Sequence, residues 1–223
     1  MIPKTIHQIF IQFKGGKKLD AIPDFCWSQK KVEKCCKENQ YIYKLWNESD
    51  CYDLIREDFP QYEDLWDDFR FEIQKCDFIR YLILHRYGGI YLDLDIYPIR
   101  DMTELFEKDY FFTRWTCDKQ QLPYIAVMGS EANQDIFQKI AEHCKTSTYE
   151  KQKMEIYQKW TGRLVFQSTG HFMVHRVLKK NKIGLDKKLD IVSVYNPNKK
   201  IVSVPPDGKA IFMDGSVSVW YNP

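Results

Sequence analysis

Two aspartates one residue apart, Asp93 and Asp95, close the apolar run Ile90-Tyr91-Leu92-Asp93-Leu94-Asp95. Read as a strand, the run alternates: Ile90, Leu92 and Leu94 share one face, and Tyr91, Asp93 and Asp95 share the other, with the two acids about 7 Å apart at Cα. Paired carboxylates beside apolar neighbours call for a cation. A hard divalent ion, Mg²⁺ or Mn²⁺, takes a few carboxylate oxygens and keeps coordination sites for a diphosphate. Upstream, Asp77 and Arg80 stand three apart on a helical stretch whose apolar stripe is Cys76, Ile79, Ile83 and Tyr87. They form either an intrahelical ion pair or a charged pair converging on the same pocket, because Gly88-Gly89 returns the chain tightly into the strand.

The elements that must position these groups read as an α/β order. An apolar run over 2–13 predicts a first buried strand, 25–39 a helix and 41–46 a second strand, which is a βαβ opening. Short acidic helices follow over 49–70 with a break at Pro60, then a helix over 72–87 and a strand over 90–96 closed by Pro98. Strands are expected over 110–115 and 124–128, helices over 133–144, 150–159 and 171–180, and short β runs after 191. The expectation is a single domain over 1–223 with a mostly parallel central sheet flanked by helices. Acids at the carboxyl end of a parallel strand then lie in the crevice where such sheets bind ligands.

Composition narrows the partners. A net charge of +2 from 33 basic and 31 acidic residues gives no reason to expect nucleic acid. Lysines crowd 30–37 and 179–188, and acids crowd 48–72; each run reads as a solvated face, with an anionic membrane or glycolipid as the sharper reading for the basic ones. Seven cysteines without a Cys-x-x-Cys pair predict reduced, mostly buried thiols. No stretch of 18 apolar residues and no signal-peptide layout is present, so a cytoplasmic protein without a transmembrane segment is expected. His7, inside the first strand, reads as a satisfied core or pocket-edge imidazole, while His85, His143 and His175 receive no role.

Cys76-Asp77-Phe78-Ile79-Arg80-Tyr81-Leu82-Ile83-Leu84, followed by Tyr87-Gly88-Gly89-Ile90-Tyr91-Leu92-Asp93-Leu94-Asp95, resembles the DXD sugar-binding region of the family 32 glycosyltransferases. That group contains the yeast initiating mannosyltransferases, and the clostridial glucosylating toxins have a similar core. The opening Ile2-Pro3-Lys4-Thr5-Ile6-His7-Gln8-Ile9-Phe10 is similar to the family's first strand. The resemblance implies a GT-A fold and a Mn²⁺ or Mg²⁺ ion on the diphosphate of a nucleotide-sugar donor. It also implies retaining transfer of a hexose, from a UDP-sugar or GDP-mannose, to a glycan, glycolipid or glycoprotein hydroxyl. By position, Ile9 and Phe10 would pack on the base, Asp77 and Arg80 would hold ribose and donor sugar, and Tyr91 would line the donor pocket. Asp93 would meet ribose or metal and Asp95 the metal, making Asp93, Asp95 and Arg80 the catalytic set. Asp214 would be the third ligand, with Ser218 and Trp220 on the β-phosphate.

Three departures stand out. Ile125 occupies the place of the family's Asn, His171 replaces the proline after Thr169-Gly170, and Asp214 stands for the family's C-terminal His. Two other classes remain open. A non-catalytic nucleotide-sugar binder would keep the same fold. An Asp-nucleophile phosphohydrolase needs a second acid cluster, for which the sequence offers only Asp186 and Asp190 among lysines.

Overall fold

In a computed structural model of the chain, the described residues are 1–114, 122–154, 161–185, 192–193 and 212–214. Strand β1 (Thr5–Ile9) carries the β-branched, buried opening; helix α1 (Pro23–Asn39) starts on a proline, whose missing N–H costs nothing in a first turn, and ends at Gln40 in the left-handed region. Strand β2 (Ile42–Trp46) follows, and Asn47 then opens α2 (Glu48–Asp58) with a capping box: its side chain accepts from the Asp50 N–H, and the Asp50 carboxylate accepts from its own. Next come α3 (Glu63–Asp68), α4 (Glu72–Tyr87), β3 (Gly89–Leu92), β4 (Ile96–Pro98), the single turn α5 (Thr103–Phe106), β5 (Tyr110–Arg114), β6 (Pro123–Ser130) and α6 (Asp135–Gln152). Helices Thr161–Ser168 and His171–Lys180 complete the helical layer.

The central sheet has the order β2-β1-β3-β6-β5. β1 pairs in parallel with β2 and β3, whereas β6 is antiparallel to both β3 and β5. The sheet is therefore mixed, not mostly parallel as the βαβ opening suggested. The reason lies after β3: the chain reaches β5 without a long crossover helix, and β6 then runs back beside β3. A smaller sheet joins β4 to Phe212–Asp214 and that strand to Val192–Ser193.

Two apolar clusters sandwich the central sheet. One gathers Phe78, Ile79, Tyr91, Phe112, Met128, Phe137 and Val174 under the large helical layer; the other gathers Ile6, Val32, Ile90, Leu92 and Phe106 under α1 and α5. Every residue of α4 from Cys76 to Leu84 is buried, while Tyr87, placed by the pattern on the buried stripe, is 42 % exposed. The one-sided stripe is thus a misreading: α4 packs against the sheet and also against α6 and Thr161–Ser168, so it has no solvated face over that span.

Two further corrections concern boundaries. The expected strand over 90–96 is two strands in different sheets, because the chain turns at Leu94-Asp95 and the Ile96 N–H donates back to the Asp93 carbonyl at 2.9 Å. The helix expected over 133–144 runs on to Gln152, taking in the start of the one expected over 150–159, and Thr161–Ser168 was not anticipated. The described cysteines are all free thiols, and no helix among the described residues is long and apolar enough to cross a membrane.

Candidate functional site

The site begins at the Gly88-Gly89 turn. Gly88 ends α4 at φ 66° and Gly89 enters β3 at φ 94°, conformations that suit glycine. A Cβ on Gly89 would stand 2.6 Å from the Thr5 carbonyl and 2.8 Å from His7 Nε2, so the close approach of β1 to β3 also requires the missing side chain. His7 explains that approach. Trp46 Nε1 donates to His7 Nδ1 at 3.1 Å, which puts the proton on Nε2, and this N–H donates to the Gly88 carbonyl at 2.9 Å. Burial lowers its pKa to about 4, against the opposing Gly88 bond, and the imidazole is neutral.

At the other end of β3, Asp93 follows the last strand residue, with its N–H on the Ala126 carbonyl at 2.9 Å. Its side chain is 32 % exposed and meets α4 from the outside. Arg80 Nη1 lies 3.1 Å from Asp93 Oδ1 and Arg80 Nη2 lies 2.8 Å from Asp77 Oδ1. Arg80 also donates from Nε to the Cys76 carbonyl and from Nη1 to the Ile125 carbonyl, and its guanidinium sits over the Tyr91 ring at 4.7 Å. The Tyr91 hydroxyl donates to Asp93 Oδ1. Behind this group, Thr169 Oγ1 donates to Asp77 Oδ2 at 3.0 Å, Tyr81 donates to the Thr169 carbonyl at 2.8 Å, and Gln74 donates to Ser168 Oγ at 2.9 Å.

Asp77 and Arg80 form the intrahelical ion pair, and Arg80 also reaches Asp93 at the strand end. At 5 % and 2 % exposure they lie in the interior rather than on a solvated face. Burial pushes the Asp77 carboxyl up to about 6, with Arg80 and the Thr169 hydroxyl pulling down and Asp93 pushing up. Burial works against the Arg80 charge, yet Asp93, Tyr91 and Asp77 hold its pKa well above the ordinary value. Burial also keeps the Tyr91 phenol protonated, as its donation to Asp93 requires.

The remaining expected residues are distributed as follows. Ile9 is buried at the carboxyl end of β1, and Phe10, half-buried, donates its N–H to the Trp46 carbonyl at 2.8 Å. Because β1 and β3 are parallel, these residues and Asp93 lie at the same edge of the sheet. Asp95 is half-buried in the turn. The alternation that put Asp93 and Asp95 on one strand face fails, since β3 ends at Leu92; the two acids come from a strand end and a turn. The Asp214 backbone pairs with Ile96, the neighbour of Asp95, which brings its chain to the turn. Ser218, Trp220, Asp186 and Asp190 lie outside the described residues. Among the described residues, no group of three or more His, Cys, Asp or Glu side chains is assembled as a metal cluster. The donors that would suit a hard cation are the carboxylates of Asp93 and Asp95.

Sequence reasoning missed Gln8, wholly buried in β1, whose Nε2 donates to the Asp93 carbonyl at 3.1 Å and whose Oε1 accepts from Tyr43 at 2.9 Å. The available signal was a glutamine inside an apolar strand. Ser168 and Thr169 support Gln74 and Asp77 from within.

A glycine-gated strand end with buried Asp and Arg behind it, on a mixed sheet between helices, defines the class: this is a GT-A glycosyltransferase fold. The glycosyltransferase PaToxG shares it at a TM-score of 0.51 and 15 % identity, over 81 % of this chain and 70 % of that one. Residues 27–112 match the family described as "Glycosyltransferase sugar-binding region containing DXD motif" and include every residue of the Asp77-Arg80-Asp93-Asp95 group. An uncharacterized glycosyltransferase of Acanthamoeba polyphaga mimivirus is 34 % identical over 141 residues, 61 % of this chain and 53 % of its own length. Mannosyl phosphorylinositol ceramide synthase SUR1 of Saccharomyces cerevisiae is 36 % identical over 95 residues, 43 % of this chain and 23 % of its own. Inositol phosphoceramide mannosyltransferase 3 of Schizosaccharomyces pombe is 36 % identical over 97 residues, 43 % of this chain and 24 % of its own. The chain thus spans about half of the viral relative and about a quarter of each yeast one.

Proposed function

We propose that the protein is a metal-dependent glycosyltransferase that moves a hexose from a nucleotide-sugar to a glycan or glycoconjugate hydroxyl. The observation that carries this reading is the Asp93 carboxylate, which opens to solvent at a strand end while Arg80 and Tyr91 hold its Oδ1 from inside. A carboxylate held in this way keeps its direction, so its exposed side can orient donor hydroxyls without first being ordered. Arg80, set between Asp77 and Asp93, places one fixed positive charge beside both carboxylates.

The donor set fits Mn²⁺ or Mg²⁺: hard carboxylate oxygens from Asp93 and Asp95, with Asp214 as the third ligand we infer from its pairing beside the turn. Such an ion, when bound, would offset the negative charge that grows on a departing diphosphate. The names of the yeast relatives favour mannose as the sugar and a phosphoinositol-bearing sphingolipid as the first acceptor to try. Resemblance to the family 32 enzymes supports retention, and the free thiols fit a reducing, cytoplasmic setting.

The test is calorimetric titration of UDP-, GDP- and CMP-sugars with and without Mn²⁺, on the wild type and Asp95→Asn. Metal-dependent binding of one donor, lost in the variant, is the expected result. Binding that ignores both metal and variant would overturn the metal site. Donor binding with no transfer to any acceptor, hydrolysis included, would leave a sugar-nucleotide binder instead.

A further inference from the structure

The β1–β3 ladder pairs Ile6 with Ile90 and His7 with Tyr91, and beyond it side chains continue the attachment. His7 and Gln8 point to opposite faces of β1 and grip opposite ends of β3: His7 the Gly88 carbonyl, Gln8 the Asp93 carbonyl. The Asp93 carbonyl also accepts from the Ile96 N–H at 2.9 Å, the bond that closes the turn carrying Asp95. Two donors thus meet on one carbonyl, one from the central sheet and one from within the turn.

The carboxamide of Gln8 has only one workable orientation. Reversing it would set Gln8 Oε1 against the Asp93 carbonyl oxygen, two acceptors without a hydrogen between them. Tyr43 holds the amide the right way round by donating to Oε1. Its phenol stays protonated because burial raises its pKa, with Glu33 adding to the effect.

We propose that Gln8 is a positioning residue of the donor site: oriented by Tyr43, it fixes the Asp93 carbonyl and so the direction in which the Asp93–Asp95 turn presents its carboxylates. This rests on the reading of that turn as the donor and metal site. Gln8 does not touch the ligand in this scheme. It acts through the backbone, which is why neither charge patterning nor the Asp-x-Asp spacing points to it.

The test compares wild type, Gln8→Met, Gln8→Glu and Tyr43→Phe by amide hydrogen exchange and by calorimetric titration of the donor with Mn²⁺. Methionine fills the same space without an amide. Glutamate keeps the acceptor for Tyr43 but sets an anionic oxygen against the Asp93 carbonyl. The expected result is exchange at the Ile96 amide at least tenfold faster in Gln8→Met, with the Tyr91 amide unchanged, and donor affinity reduced at least tenfold. Gln8→Glu is expected to be worse than Gln8→Met on both measures, and Tyr43→Phe milder. A residue that only fills space would leave Ile96 exchange and donor affinity within twofold of wild type in Gln8→Met, and that outcome overturns the proposal. Should Gln8→Glu fail to fold, the ordering of Tyr43→Phe between wild type and Gln8→Met decides. A wild type that binds no donor would remove the donor-site reading itself, a result distinct from a binding wild type with an indifferent Gln8→Met.

Discussion

Arg80 Nη1 stands 3.1 Å from Asp93 Oδ1, and this contact ties the fully buried middle of α4 to the one carboxylate of the buried group that opens outward. The same guanidinium reaches Asp77, the Cys76 carbonyl and the Ile125 carbonyl. A lysine ammonium cannot span these partners. Arg80→Met is therefore expected to lower unfolding stability by about 3–5 kcal/mol, since it leaves buried Asp77 without its cation. Arg80→Lys should fold better, yet lose about 100-fold or more in kcat/KM. Urea unfolding and steady-state kinetics check the two effects separately.

Thr169 serves Asp77 with a hydroxyl bond at 3.0 Å in the interior. Thr169→Val keeps the shape and removes the donor, at an expected cost of about 1–3 kcal/mol. It should also move the Asp77 titration further above its position near 6, because the lost bond favoured the charged form. Carboxyl NMR titration of the variant against wild type reads the shift.

His7 gives the protein an acid-sensitive component. Its folded pKa is lowered to about 4 from the usual 6.5, chiefly by burial, so the unfolded chain takes up the proton first as pH falls. This contribution is fully present above the unfolded value, is lost between about pH 6.5 and 4, and levels off below; the whole loss is about 3 kcal/mol. His7→Gln can still donate to the Gly88 carbonyl but cannot titrate. Chemical denaturation across that window should show a shallower pH slope in the variant.

Gly89→Ala is expected to destabilise the fold by about 3 kcal/mol or more, since it combines a positive φ with contacts of 2.6 Å to the Thr5 carbonyl and 2.8 Å to His7. Thermal unfolding measures it. A loss below about 1 kcal/mol would mean that β1 and β3 part more easily than their register implies.

Much of this was legible in the residues. The Gly88-Gly89 turn, the 72–87 helix and the group Asp77, Arg80, Asp93 and Asp95 follow from local pattern and motif, because glycine, capping and spacing are local physics. What escaped has tertiary causes. Asp77 and Arg80 lie off the apolar stripe that the pattern marks, and α6 and Thr161–Ser168, packing on the far side, are what make α4 interior. The split of 90–96 at Asp93 was hidden because Leu94 and Ile96 continue the apolar alternation while belonging to a turn and a second sheet. The antiparallel β6 depends on the path after Pro98, which no short window records. Gln8 looked like one polar residue in an apolar strand; its partner is a backbone carbonyl far along the chain.

Helix α4 houses the charged corner and also much of the apolar mass beneath the sheet. On the proposed function, ligand recognition and cooperative folding share one structural member. Denaturation should extinguish donor recognition and global order in a single transition, leaving no partly melted species that still folds but has shed its charged floor.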